Sequence, residues 1–382
     1  MKRAGTLLLI FLLLAGLLPR RVHGLDLNVS AKSAILMDAA TGTVLYEQND
    51  REALAPASVT KVMTMLLIME AIDSGKIGWN DPVTASEAAA AKGGSQIYLK
   101  VGESMSVSDM VKSIAVSSAN DCACAMAEHL AGSESAFVDL MNTRAQELGM
   151  TDTHFVNCTG LDDDPEAASH RTSAHDIAIM SRELLKNHPD IKKYTTIWMD
   201  TVRNGAFGLS NTNKMVRFYD GCTGLKTGFT NGAGYCLSAS AQRNGMELIA
   251  VVMGSSTSAD RFAAAKSMLD YGFANFALYT PEIREDAAVP VTLGKFSTVS
   301  AVPSESVQLL VEKNQINSIR TEVELEPTVT APVSAGQRLG TLTIQSQEQV
   351  LREIPLVASA PVERLTWGDL TVKILRQVAM AK

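Results

Sequence analysis

Three short strings, each occurring once, constrain this chain more than any other feature: SVTK at 58–61, SAN at 118–120 and KTG at 226–228. No other serine is followed three positions later by lysine, and no other serine two positions later by asparagine. A fold that uses them together must gather segments that are far apart in the chain. Ser58 and Lys61, three apart, project from one face if the segment is helical. A lysine amine accepts a hydroxyl proton only when it is neutral, which requires burial or neighbouring positive charge. Lys61 lies within an apolar run (Val62, Met63, Met65, Leu66, Leu67), where an idle buried ammonium would be costly. Lys226 can supply the neighbouring charge if its strand lies opposite. Such an inventory suits acyl transfer through a serine ester, with no metal and no cofactor.

The remaining site candidates have structural alternatives. Ser118 and Asn120 precede a predicted helix, where either side chain could simply cap it. In a reaction site, Ser118 would relay a proton and Asn120 would hold the substrate backbone. Gly228 costs β propensity in a predicted strand, which makes sense if a substrate backbone approaches closely. Thr227 offers a hydroxyl to an anionic group. Arg261 falls at the start of a predicted helix, where the dipole disfavours a cation; a surface role or a seat for a substrate carboxylate both fit. His175 and Asp176 open a helix, and His170 shapes the site from a loop.

The pattern along the chain is α+β. Residues 34–47 read as two strands turning at Thr41 and Gly42. A helix runs from about Ser58 to Ser74, and Gly75 ends it. Helical patterns at 106–117, 121–131 and 174–187 follow. Strands are expected at 222–230, 235–242 and 246–254, the last two joined by a hairpin at Arg243, Asn244 and Gly245. A helix from Asp260 to Phe276 completes an antiparallel sheet with helices, built from both ends of one segment. Beyond Pro281, Val/Leu/Thr-rich stretches such as 307–312, 320–325 and 339–344 imply a small all-β domain. The expected divisions are 1–24, 25–283, 284–362 and 363–382.

Lys2, Arg3 and the apolar stretch from Leu7 to Leu18, ahead of Val22, His23 and Gly24, read as a secretory signal. The apolar run is too short to span a membrane. Its removal deletes Lys2, Arg3, Arg20 and Arg21 and no acid, taking the formal net charge from −7 to −11. A chain that acidic is a poor nucleic-acid binder. At the other end, Trp367, Leu370, Ile374 and Val378 recur at helical spacing with Lys373, Arg376 and Lys382 mainly on other faces. An amphipathic helix of this kind suits a membrane interface or docks on its own protein. The five cysteines, 122, 124, 158, 222 and 236, are read as buried thiols without zinc-site spacing.

The chain resembles the low-molecular-mass penicillin-binding D-alanyl-D-alanine carboxypeptidases along nearly its whole length. The resemblance rests on the export signal, PASVTKVMT around Ser58, SSAND around Ser118, GLKTGFT around Lys226, the strand GYCLSASA, the β domain and the tail. It implies a serine β-lactamase/DD-peptidase-like domain in which Ser58 is acylated by the D-Ala-D-Ala end of peptidoglycan stem peptides, and by β-lactams. Lys61 is then the general base, and Ser118, Asn120 and Lys226 complete the site. The backbone N–H groups of Ser58 and Phe229 form the oxyanion hole, and Arg261 matches the carboxylate-binding arginine. The resemblance places the enzyme outside the cytoplasm, on the outer face of the cell membrane. Ala119, where glycine is common, and Phe229, where histidine is frequent, depart from the pattern. The rivals are a β-lactamase, which would need a water-directing glutamate, and a non-catalytic penicillin-recognising protein. Glu183 is the superficial match and reads as surface.

Overall fold

The computed structural model describes residues 27, 29–163, 165–281, 287–305, 307–347 and 349–372. The expected signal at 1–24 and the tail beyond Val372 lie outside them. The chain divides into two compact units between Gly272 and Phe273. That is ahead of the expected 283/284, because strand Phe276–Tyr279 pairs with Leu309–Glu312 of the second unit.

The first unit is built on β1 (Ser33–Asp38), β2 (Val44–Gln48), β3 (Cys222–Thr230), β4 (Gly234–Arg243) and β5 (Met246–Ser255), in spatial order β2-β1-β5-β4-β3. All neighbours are antiparallel. Every residue of β1 is buried, and so is every residue of β5 except Gly254. Continuous apolar strands of this kind are covered on both faces. The β4–β5 turn has Asn244 at φ 50° and Gly245 at φ 79°, the left-handed pair that a two-residue hairpin favours.

The longer helices are α1 (Lys61–Asp73), α2 (Val107–Ser117), α3 (Asn120–Ala131), α4 (Glu134–Glu147), α5 (Ala174–Asn187) and α6 (Ser258–Asn275). Helices α1 and α5 pack on each other, and α5 lies on β1 and β5. A Cβ on Gly272 of α6 would stand 2.4 Å from Leu248 and 3.1 Å from Leu36, so glycine sets how closely that helix approaches the sheet. Two elements differ from the sequence expectation. A 3-10 turn, Ala57–Thr60, precedes α1, so Ser58 sits on a tighter coil than a regular helix. The region between α1 and β3 also holds two small two-stranded sheets, Pro82–Thr84 with Ser104–Ser106 and Met199–Val202 with Phe207–Ser210. All five cysteines are free thiols, four of them buried.

The second unit has a six-stranded sheet, ordered Ile319–Leu325, Arg338–Ser346, Gln349–Ala358, Thr298–Pro303, Ala288–Thr292 and Val329–Thr330. Leu342, Ile344, Ile354 and Leu356 are fully buried in its core together with Val289 and Leu339. The alternation along Arg338–Ser346 places Leu342 and Ile344 on one face. Of the expected tail helix, the described part is its start, Trp367–Val372. Thr366 caps it: its Oγ1 accepts from Asp369 N at 3.3 Å, and Asp369 Oδ2 accepts from Thr366 N at 2.9 Å. No helix among the described residues is long and apolar enough to cross a membrane.

Candidate active site

Lys61 opens α1 one turn beyond Ser58 and is fully buried. Its Nζ lies 3.0 Å from Ser58 Oγ and donates to Thr159 O at 2.8 Å. Burial pushes the Lys61 pKa down to about 7 against the opposing pull of Cys158 and Asp121, so a large neutral fraction exists near neutrality. Lys226, in β3, is also buried. Its pKa is held well below the usual lysine range by burial first, then by the charges of Lys61 and Arg261. The Lys61 shift therefore comes from desolvation, and the expected charge from Lys226 is not among its causes.

Strand β3 packs against the turn bearing Ser58. A Cβ on Gly228 would stand 2.7 Å from Pro56 O and 3.1 Å from Ser58 N; glycine is what lets the strand come so near. Thr227 Oγ1 donates to Thr212 Oγ1 at 2.6 Å, and Thr212 N donates to Val116 O at 3.1 Å. That chain ties KTG to the end of α2, where Ser118 follows in the left-handed conformation (φ 63°). This backbone state costs a non-glycine residue about 1–2 kcal/mol. Ser118 Oγ and Asn120 Oδ1 are buried without a hydrogen-bond partner among the described residues, while Asn120 Nδ2 donates to Gly93 O at 2.8 Å. Neither Ser118 nor Asn120 makes a side-chain cap of α3, so the capping alternative is not what these residues do.

Arg261 is mostly buried, and one of its terminal nitrogens donates to Gly228 O (2.9 Å) and Cys236 O (3.2 Å). In this state the guanidinium braces the backbone of β3 and β4, with its face contacts on Tyr235 and Phe262. Phe229 is half exposed and lies against Tyr235 at 4.3 Å between ring centres. Glu183 accepts from Arg144 at 2.9 Å. Glu70, Glu183 and His188 converge closely enough to suggest a cation site, but Arg144 already pairs with both glutamates and His188 with Asp73.

Thr212, Asn157 and Asp121 shape the site without having been singled out in the sequence, whereas His170 was. Asn157 organises the loop that presents Thr159 O, its Oδ1 accepting from Thr159 N and Gly160 N at 3.1 and 2.7 Å. The buried Asp121 carboxylate accepts from Ile97 N and Leu99 N, pinning the loop beside Asn120. His170, placed near the site by its loop, accepts from Val156 N through Nδ1 at 3.0 Å. Its proton therefore sits on Nε2, which donates to Thr60 Oγ1 at 2.8 Å, and Thr60 Oγ1 donates to Ala57 O at 2.8 Å. Burial lowers the His170 pKa to about 4, keeping the ring neutral. Ala57, immediately before Ser58, is held at φ 48°.

A buried lysine beside a serine on a tight turn, a second serine with an asparagine, and a KTG strand packed on that turn supply the groups that acyl transfer through a serine ester needs. The family model described as D-alanyl-D-alanine carboxypeptidase (peptidase S11) matches residues 21–257, and the model for the C-terminal domain of penicillin-binding protein 5 matches residues 282–364. The chain belongs to the D-alanyl-D-alanine carboxypeptidase family. It is 43% identical over 360 residues to D-alanyl-D-alanine carboxypeptidase DacF of Bacillus subtilis, covering 91% of each chain. It is similar to penicillin-binding protein 5 of Haemophilus influenzae, with a TM-score of 0.76 and 30% identity over 90% of this chain and all of that one. Penicillin-binding protein D2 of Listeria monocytogenes in its ampicillin-bound form matches 65% of this chain and all of its own, with a TM-score of 0.60 and 32% identity.

Proposed function

We propose that this chain removes the terminal D-alanine from peptidoglycan stem peptides through an acyl-enzyme on Ser58, and that β-lactams acylate the same oxygen. The observation that carries the reading is the 3.0 Å contact between Ser58 Oγ and a fully buried amine whose pKa lies at about 7. With Lys61 neutral, the contact runs from hydroxyl to amine, and the amine takes the proton as Oγ attacks the penultimate D-alanyl carbonyl. The ester C–O bond forms, the amide C–N bond breaks, and the leaving D-alanine amine takes up a proton relayed through Ser118. Water then hydrolyses the ester with the proton path reversed. The N–H groups of Ser58 and Phe229 receive the oxyanion, and Gly228 makes that pairing sterically possible. Thr227 and Thr212 offer hydroxyls to the substrate carboxylate, with the Arg261 guanidinium behind them as positive charge and the buried Lys226 amine beside them. Asn120 holds the peptide backbone.

The reading extends to place. The leader and the tail support an exported enzyme lying on the outer face of the cell membrane through its amphipathic C-terminal helix.

The deciding experiment exposes purified protein to fluorescent penicillin and to a peptide ending in D-Ala-D-Ala, with Ser58→Ala as control. Lasting label and D-alanine release, both lost in Ser58→Ala, are expected. Rapid penicillin turnover would instead identify a β-lactamase, and label without peptide turnover a binder. A second variant tests the oxyanion geometry. Gly228→Ala should slow penicillin acylation by about a hundredfold, the scale of one lost oxyanion donor, with the label still confined to Ser58. Acylation at the wild-type rate would show that β3 does not complete the hole.

A further inference from the structure

The second unit presents an apolar turn beside the root of its C-terminal helix. Residues 293–297 join strands Ala288–Thr292 and Thr298–Pro303. Phe296 is 68% exposed, Leu293 is 49% exposed, and Trp367 at the helix start is 88% exposed. The turn is fastened to the segment leading into that helix: Lys295 N donates to Glu363 O at 2.9 Å and Leu365 N to Leu293 O at 2.8 Å. Lys295 and Glu363 also form an ion pair. Gly294 is pressed between Val291 and Val362, with no room for a Cβ. Turn and helix root therefore form one piece.

Its composition does not suit water. Leu293 is held at φ 56°, a conformation for which turns ordinarily select Gly, Asn or Asp. Here an exposed leucine occupies it, with an exposed phenylalanine three positions on. Exposed large apolar side chains clustered at one place mark a binding surface. The charged companions nearby are Asp369, the exposed Arg364 and Lys295, which pairs with Glu363. The sequence that follows, 373–382, adds Lys373, Arg376 and Lys382 with no acid. Exposed apolar side chains, followed in sequence by cations without an acid, fit an anionic lipid interface, where the cations stay at headgroup level. A narrow turn of two apolar residues offers little area for a specific protein interface.

We propose that the turn Leu293–Phe296 is a second lipid-contacting element, inserting Leu293 and Phe296 into an anionic bilayer surface beside Trp367. The proposal rests on reading the tail as membrane-binding. Two contact points on one rigid piece fix an orientation on the membrane that a tail alone would leave free.

The test is co-sedimentation of the exported form, 25–382, with vesicles of phosphatidylglycerol and phosphatidylethanolamine. Removal of 367–382 should abolish binding. The double variant Leu293→Ser, Phe296→Ser should lower the partition coefficient by about tenfold, while its melting temperature and penicillin acylation rate stay at wild-type values. If the double variant binds like wild type and the truncated chain does not, the proposal is overturned and the tail reading stands. If the wild type itself fails to bind, both fall. A lipid-free dimer that the double variant dissociates would reassign the turn to contact between copies and overturn the proposal.

Discussion

Replacing Lys61 with methionine should slow acylation of Ser58 by about a hundredfold to ten-thousandfold, the range that a positioned general base supplies. Methionine fills the buried channel without charge, so the variant should keep the fold while losing the proton acceptor. The wild-type enzyme should show the complementary pH signature. Its base is the neutral amine, and burial places the Lys61 pKa at about 7. Below that value the amine is protonated and cannot accept; above it the lone pair is free. The second-order rate of penicillin acylation should therefore rise with pH through about 7 and level off above it. Lys61→Arg, always charged, should show neither the rate nor the limb. A Lys61→Met enzyme that keeps more than a tenth of wild-type acylation would remove Lys61 from the base role.

Gly160→Ala should damage both stability and activity. Gly160 sits at φ 81°, and a Cβ there would lie 1.8 Å from Ala57 O and 2.7 Å from Thr60 Oγ1. Neither neighbour is a free end: Ala57 O accepts from Thr60 Oγ1, and the His170 ring holds that hydroxyl. Relief requires moving the Ser58 turn or the loop that supplies Thr159 O to Lys61. The combined strain and overpacking should cost about 2–4 kcal/mol, a fall in melting temperature of roughly 5–15 °C for a unit of this size. Acylation should drop at least tenfold in the folded fraction, an order-of-magnitude expectation for a displaced reacting group. Gly149→Ala is the control, since Gly149 has φ 73° with nothing within 4 Å of a Cβ. It should cost about 1 kcal/mol and leave acylation unchanged.

The side chains proposed to carry the chemistry were legible in the sequence, whereas the backbone that positions them was not. SVTK, SAN and KTG declare their hydroxyls, amines and carboxamide by residue type. The sheet declares itself too, because the apolar run of β5 follows the small-residue strand β4 across an Asn-Gly turn. Thr159 contributes a carbonyl oxygen, a group every residue has, so nothing in its identity marks it. Gly160 matters because Ala57 O approaches it across a gap of about a hundred residues in sequence, a contact that only the fold creates. Thr212 and His170 act through partners in other segments, and the His170 tautomer follows from Val156 N, a backbone donor. Arg261 shows the reverse case. Its unfavourable place at the start of α6 was readable, but its bonds to Gly228 O and Cys236 O depend on where two strands happen to lie.

The order of strands in the first unit has a consequence for how the protein comes into being. β1 is an early segment, yet its neighbour in the sheet on one side is β5, more than two hundred positions later. Until the ribosome has released that late strand, β1 has only β2 to pair with, and a lone hairpin is marginal in water. Long-range closure of this kind is slow. The nascent polypeptide should thus stay loose and threadable until about two thirds of it has been made, and it can become a working catalyst only after that.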